Sequence, residues 1–383
     1  MHWLGYVVLT ALLGMPALAA EPCALATALE GPCRVNEPGL RMNDIQVVGT
    51  HNSYKRAIPP AELALIRQRS TEAAVELDYG HRPLIEQLDL GMRALEIDIV
   101  YDPQGGRYAH PMLPAVAARL GNDEPYDASA MMQPGFKVMH VPDVDMRSQC
   151  ATFVLCLQQI KTWSDAHPDH VPLVITMNAK DGAAEVPGGV VPMRFDATAF
   201  AALDAEILSI FGPEKLTVPD SVRGGHRTLR EGVLAGGWPK LSEARGKVMF
   251  VLDEDEEKSR LYRRGHASLE GLPMFIKSTG ETAPHAAFFI LNDPIADGAR
   301  IKADVAAGFI VRTRADEGTH EARENNTARR QAAFASGAQI ISTDYLEPRR
   351  DFGPYQVALP KDEPARCNPV RRDQACLPVS PPH

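Results

Sequence analysis

The feature that most limits what this chain can become is an alternation. Short β-rich runs at 45–49, 94–100, 137–140, 173–178, 248–252, 287–291, 309–314 and 339–343 are separated by longer intervals. Most intervals carry helical patterns, for example 83–90, 152–166, 197–211 and 325–336. Runs apolar along nearly their whole length belong to strands buried on both faces, which occur in parallel sheets with helical crossovers. Eight such strands predict an α/β fold, a single (β/α)8 TIM barrel. A doubly wound open sheet is the competing arrangement, but it usually places a Gly-rich phosphate turn after its first strand. Here that position reads Gly49-Thr50-His51-Asn52, which is no such turn. At 383 residues the chain has length for two domains, yet barrels of this kind often run past about 250 residues as one unit.

The ends read differently from the middle. Residues 1–19 are apolar and close on Ala17-Leu18-Ala19, a small-x-small pattern suited to signal peptidase, although His2 stands where a Lys or Arg is usual. Export is therefore expected. An apolar first helix of the mature fold is the alternative. A Cys-containing arm follows at 20–40, then the barrel at 41–347, then an irregular tail at 348–383 rich in Pro, Arg and Asp. The six cysteines fall in three close pairs, Cys23 with Cys33, Cys150 with Cys156 and Cys367 with Cys376. Six cysteines allow 15 connectivities, so local pairing is a hypothesis, in which two pairs staple extensions that have little core of their own. The formal charge of −9 excludes a basic field for nucleic acid.

Catalysis in a barrel sits at the carboxyl ends of its strands, and polar residues collect there. The first run ends in His51-Asn52, the second holds Glu96 and Asp98, and the third ends in His140. The fourth carries Asn178 and Lys180, and the seventh carries Arg312 and Arg314. In Leu95-Glu96-Ile97-Asp98-Ile99 the period of two puts both acids on one face and the aliphatics on the other. With the aliphatics under the helices, the acids point into the barrel, where they need compensating positive charge. A hard divalent cation with oxygen ligands supplies it, Asn52 contributing an amide carbonyl. An ion pair to Arg312, Arg314 or Lys180 is the alternative.

Single histidines, such as His2, His167, His170 and His383, take an ordinary structural reading. His51 and His140 flank the acid pair and form a constellation, one ring able to act as general base and the other as general acid. Lys180, Arg312 and Arg314 suit stabilisation of an anionic phosphorane, or neutralisation of Glu96, Asp98 or Asp344. The acidic run Asp253–Glu257 reads as a solvated loop.

At these residues the sequence resembles the calcium-dependent phosphatidylinositol-specific phospholipase C family of bacterial type. The resemblance rests on Val48-Gly49-Thr50-His51-Asn52-Ser53-Tyr54, Leu95-Glu96-Ile97-Asp98 and Lys137-Val138-Met139-His140. It continues through Pro172-Leu173-Val174-Ile175, Lys180-Asp181, 312–316 and 342–345. It implies His51 as the general base on the inositol 2-hydroxyl and His140 as the acid that protonates the leaving diacylglycerol oxygen. It also implies Asn52, Glu96 and Asp98 as ligands of one calcium ion, another divalent metal being the alternative. Related enzymes place a further carboxylate where this chain has Asn178, so a weaker site is expected here. A glycerophosphodiester phosphodiesterase is the nearest rival, but that family opens with His-Arg-Gly at its first strand. A barrel that only binds inositol phosphates or a partner is the non-enzymatic rival. The expected substrate is a phospholipid, met by a monomer. The segments 101–135 and 182–194 leave strand ends and offer transient membrane contact, or are plain surface loops.

Overall fold

Eight strands run parallel around a ring: β1 Ile45–Thr50, β2 Ala94–Val100, β3 Leu173–Ala179, β4 Val248–Leu252, β5 Phe275–Ile276, β6 Phe288–Ile290, β7 Ile310–Arg314 and β8 Ile340–Thr343. The molecule is a computed structural model that describes residues 33–35, 39–121, 124–359, 363–371 and 376–378. The expected leader and Cys23 lie outside these residues. Hydrogen bonding follows the order β5-β4-β3-β2-β1-β8-β7-β6. The ring closes at a thin seam, where Lys277 bridges Phe288 in parallel and the Ser278 N–H donates to the Phe288 carbonyl at 2.8 Å. The expected α/β barrel is the fold observed.

Strand membership differs from expectation in one place. The run at 137–140 is not a barrel strand: Lys137–Val138 pairs antiparallel with the far end of β2, Val138 opposite Ile99 and Lys137 opposite Val100. The missing parallel strand is β5. Apolar runs look alike whichever way they pair, and β5 has only two residues with no helix between it and β6. The antiparallel return has a consequence for the site, because it brings the chain back down beside β2 and delivers His140 to the mouth.

Helices cover the ring: α1 Leu84–Asp89, α2 Met112–Arg119, α3 Phe153–Ala166, α4 Ala197–Phe211, α5 Gly298–Ala307 and α6 Ala328–Ser336 among them. Thr152 starts α3 by accepting from the Leu155 N–H, and Asp196 starts α4 by accepting from the Ala199 N–H. Such caps contribute roughly 1 kcal/mol each. A disulfide joins Cys150 to Cys156 across the start of α3. Cys367 is also disulfide-bonded. Arg366–Cys367 adds an antiparallel pair to the start of β1, and Cys33–Val35 pairs with Cys376–Pro378. Leu95, Ile97 and Ile99 of β2 are all buried, and so are Glu96 and Asp98 on the opposite face. Gly49 is required where β1 meets β2: a Cβ there would lie 2.4 Å from that of Ala94. Among the described residues, no helix is long and apolar enough to cross a membrane.

Candidate active site

The chain leaves β1 through a turn that sets the first functional group. The His51 N–H donates to the Thr343 carbonyl at 2.9 Å, which ties the residue to β8. Asn52 follows with φ +46°, a left-handed conformation that Asn tolerates better than most side chains. Ser53 then locks onto β2, its N–H donating to the Glu96 carbonyl at 2.9 Å and its Oγ accepting from the Glu96 N–H at 2.8 Å.

Each histidine is backed by a carboxylate. His51 Nδ1 lies 2.8 Å from Asp344 Oδ1, and Arg314 donates toward Nε2 at 3.5 Å. Arg314 can only donate, so Nε2 carries the lone pair and Nδ1 the proton. Tyr79 OH sits 3.3 Å from Nδ1, and His81 Nε2 lies 2.8 Å from the His51 carbonyl. Burial, then Arg314, holds the His51 pKa well below its ordinary 6.5. The ring is therefore neutral at neutral pH, as a base must be.

Two acids are stacked behind it. Asp316 accepts from the Asp344 N–H at 2.7 Å and from Tyr355 OH at 3.2 Å, and shares a hydrogen bond with Thr343 Oγ1. Burial, then the nearby Asp344, pushes Asp316 up to about 7. We assign the proton to Asp316 and the charge to Asp344, because Asp344 has Arg314 at 3.0 Å and Asp316 has only neutral donors.

His140 has the matching arrangement. Its Nδ1 lies 2.9 Å from Asp145 Oδ2. Asp145 is fully buried beside Lys55 at 3.3 Å, whose Nζ also donates to the carbonyls of Leu77 and Tyr79 at 3.1 and 2.7 Å. Burial opposes the Asp145 charge, but Lys55 and His140 hold its pKa below the usual range. The Asp145 carboxylate on Nδ1 fixes the orientation of the His140 ring. His140 is close enough to His51 and Asp344 to act on both electrostatically.

The acids of β2 find cations. Arg312 donates to Glu96 Oε2, to Ser342 Oγ at 3.1 Å and to Asn292 Oδ1 at 2.8 Å. Lys180 Nζ lies 3.1 Å from Asp98 Oδ2. The ion-pair alternative for charge compensation is thus realised. Asn178 stands opposite Asp98 in the β2–β3 register and donates to the Asp253 carbonyl at 2.6 Å. Asn52 donates to Tyr79 OH at 2.8 Å, and its Oδ1 accepts from Tyr54 OH at 3.3 Å. Asp98 Oδ1 is buried without a hydrogen-bond partner. That orphaned oxygen, with Glu96 and two amide oxygens nearby, is a hard all-oxygen donor set of the kind calcium prefers. Among the described residues no three His, Cys, Asp or Glu side chains gather as a metal cluster. Burial works against the Lys180 charge, but Asp98 keeps its pKa above the ordinary value.

Asp145, Lys55 and Tyr79 were not legible as site residues. Asp344 stands at the end of the eighth strand, a position that signals function, but its place behind His51 shows only in three dimensions. His167 and His170 have structural partners, the Trp163 carbonyl and Ser164.

A parallel barrel with two carboxylate-backed histidines among guanidinium groups at its carboxyl mouth is equipped for proton transfer at a phosphodiester. Residues 40–369 match the family model described as phosphoinositide phospholipase C, Ca2+-dependent, and the chain belongs to that family of phosphodiester-cleaving enzymes. The fold is similar to that of the calcium-dependent phosphoinositol-specific phospholipase C of a Gram-negative Pseudomonas species. Its myoinositol complex shares 17% identity at a TM-score of 0.52, covering 88% of this chain and 100% of that one. It is also similar to the Ca2+-dependent phosphatidylinositol-specific enzyme of Streptomyces antibioticus, with 18% identity, a TM-score of 0.50, and 80% and 95% coverage. No curated protein matches the sequence.

Proposed function

We propose that this enzyme cleaves the phosphodiester of phosphatidylinositol in two proton-coupled halves, giving diacylglycerol and an inositol cyclic phosphate. The observation that carries the reading is the pair of histidines, each anchored through Nδ1 to a carboxylate. His51 Nε2 takes the proton from the inositol 2-hydroxyl. The freed oxygen bonds to phosphorus, and the bond from phosphorus to the diacylglycerol oxygen breaks. His140 delivers a proton to that departing oxygen. Arg314, beside His51, is placed to balance negative charge on the phosphoryl oxygens, and Arg312 and Lys180 line the same mouth. Water then opens the cyclic product with the two histidines exchanging roles.

Asn52, Glu96, Asp98 and Asn178 would hold one calcium ion. When bound, the ion supplies charge neutralisation at the phosphoryl oxygens and a lower pKa for the attacking hydroxyl. With two amides and two already paired acids, the site binds weakly. The disulfide between Cys150 and Cys156 supports an oxidising destination, in line with export; in this reading the leader is 1–19, the barrel 41–347 and the enzyme a monomer. Turnover of a panel of phosphodiesters with and without chelator tests the assignment. Calcium-dependent release of diacylglycerol from phosphatidylinositol is expected. Preference for glycerophosphodiesters, or no turnover at all, would replace it.

A further inference from the structure

Past β8 the chain does not leave the site. Residues 349–357 form a strap that packs against the segments leaving β7 and β8 and is fixed at both ends. At its start, Phe352 lies between two guanidinium groups, Arg323 at 4.0 Å and Arg349 at 4.1 Å from its ring centre. Both arginines donate to the Asp78 carboxylate, Arg323 at 2.7 Å and Arg349 at 2.9 Å. At the far end the Val357 N–H donates to the Tyr345 carbonyl at 2.8 Å. Tyr355 between these anchors is buried. Its ring stands edge-on to Tyr345 at 5.8 Å, and the Arg330 guanidinium lies 5.5 Å from its centre.

The Tyr355 hydroxyl donates to the Ala315 carbonyl at 2.9 Å and to Asp316 Oδ2 at 3.2 Å. The other Asp316 oxygen accepts from the Asp344 N–H at 2.7 Å. Thr343 Oγ1, hydrogen-bonded to Asp316 Oδ2, accepts from the Tyr345 N–H at 2.9 Å. Residues 343–345, which carry the carboxylate behind His51, are thus folded around one buried carboxyl group, and the strap holds that group from outside.

The opposite side of this turn is less well supported. A cleft of about 200 Å3, lined by Tyr79, His81, Asp344 and Arg349 among others, lies between 79–82 and 344–349. Close packing is what normally fixes a buried segment. Where a cleft takes its place, hydrogen bonds from the β7 side set the position of the Asp344 main chain.

We propose that Tyr355 and Asp316 are positioning residues for the base: the strap holds the Asp316 carboxyl, which holds the Asp344 main chain, so that the Asp344 carboxylate keeps the His51 proton on Nδ1. The inference rests on the reading of His51 as the base. Neither residue touches the reacting atoms. What they supply is orientation, and a misplacement of about 1 Å can cost about 100-fold in rate.

Hydrogen-bond capacity separates the informative variants. As a neutral acid, Asp316 accepts at one oxygen and donates from the other to Thr343 Oγ1. An Asn accepts and donates in the same places, with its second amide N–H facing the Tyr355 oxygen. Asp316→Asn therefore keeps the arrangement and Asp316→Ala removes it. Tyr355→Phe removes the strap's hydrogen bond and keeps its ring packing.

The test measures kcat and KM of the full mature chain on a soluble inositol aryl phosphodiester, and reads the His51 tautomer by nitrogen NMR at pH 8. Tyr355→Phe and Asp316→Ala should each lower kcat by about tenfold or more with KM unchanged, and should divide His51 between its two tautomers. Asp316→Asn should keep the wild-type tautomer and most of the wild-type rate. Wild-type rates and tautomer in Tyr355→Phe and Asp316→Ala would overturn the proposal. So would a loss that Asp316→Asn shares, or a loss with the tautomer unmoved, since a merely structural role gives either. Should Tyr355→Phe not fold, the two Asp316 variants decide alone. Tautomer changes in the variants of a protein that turns over no inositol phosphodiester would uphold the positioning and remove the reading of His51 as base.

Discussion

Replacing Asp344 with Asn tests the base from its own geometry. Asp344 accepts from Arg314 at 3.0 Å through Oδ2 and meets His51 Nδ1 at 2.8 Å through Oδ1. Arg314 can only donate, so an Asn at 344 must turn its carbonyl to Arg314 and its NH2 to His51. Nδ1 then has to accept, the proton moves to Nε2, and the nitrogen that should take the 2-hydroxyl proton no longer has a lone pair. The fold should survive, because Arg314 keeps an acceptor. A wrong tautomer in an acid-backed histidine costs about 10⁴ in rate, or about 5.5 kcal/mol of transition-state stabilisation. Steady-state kcat/KM on a soluble inositol aryl phosphodiester reads it, with a thermal melt as folding control. The sign of the pH dependence follows from burial. The His51 pKa lies well below 6.5, so on the acid side wild-type activity falls only below that value. Raising the pH does not restore the variant, because the fault is the position of a proton rather than an extra one. A folded Asp344→Asn protein within tenfold of wild type would refute the reasoning.

Other outcomes follow from the same structure. His140→Ala should lose about 10²–10⁴ in rate on phosphatidylinositol, and much less on an aryl phosphodiester whose leaving group needs no proton; His51→Ala should lose on both, as paired kinetics will show. Calorimetry should find weak calcium binding that Asp98→Asn weakens further and Asn178→Asp tightens, by restoring a carboxylate opposite Asp98. Burial pushes Glu206 up to about 7 from 4.5, so the folded protein holds this proton more tightly than the unfolded chain. Its contribution to stability therefore falls as pH rises from about 4.5 to about 7 and is flat above. Glu206→Gln should then gain on the order of 2 kcal/mol relative to wild type at pH 8 and little at pH 4, measured by denaturant melts.

The barrel was legible because buried parallel strands leave a signal that local sequence carries, nearly continuous apolar runs with helices between. What the runs could not carry was direction. Lys137–Val138 has the composition of a barrel strand yet runs antiparallel to β2, and two-residue β5 is too short to stand out. The candidate site was legible to the extent that its residues lie at strand ends, as His51, Glu96, Asp98, Arg312 and Arg314 do. Asp145 and Lys55 were hidden because each is one half of a contact between segments 90 residues apart, and neither has local periodicity to mark it. The cations that neutralise Glu96 and Asp98 were foreseen only as an alternative, since register decides which charge meets which.

Phosphorus NMR of wild-type enzyme acting on phosphatidylinositol puts the central claim to its most direct test. Attack by the inositol 2-hydroxyl, with His51 as base, predicts that the five-membered cyclic phosphate of inositol appears first and any acyclic phosphate only later. A substrate lacking the 2-hydroxyl should not react. Acyclic phosphate from the outset, with normal cleavage of the 2-deoxy substrate, would mean that water attacks directly and would contradict the account.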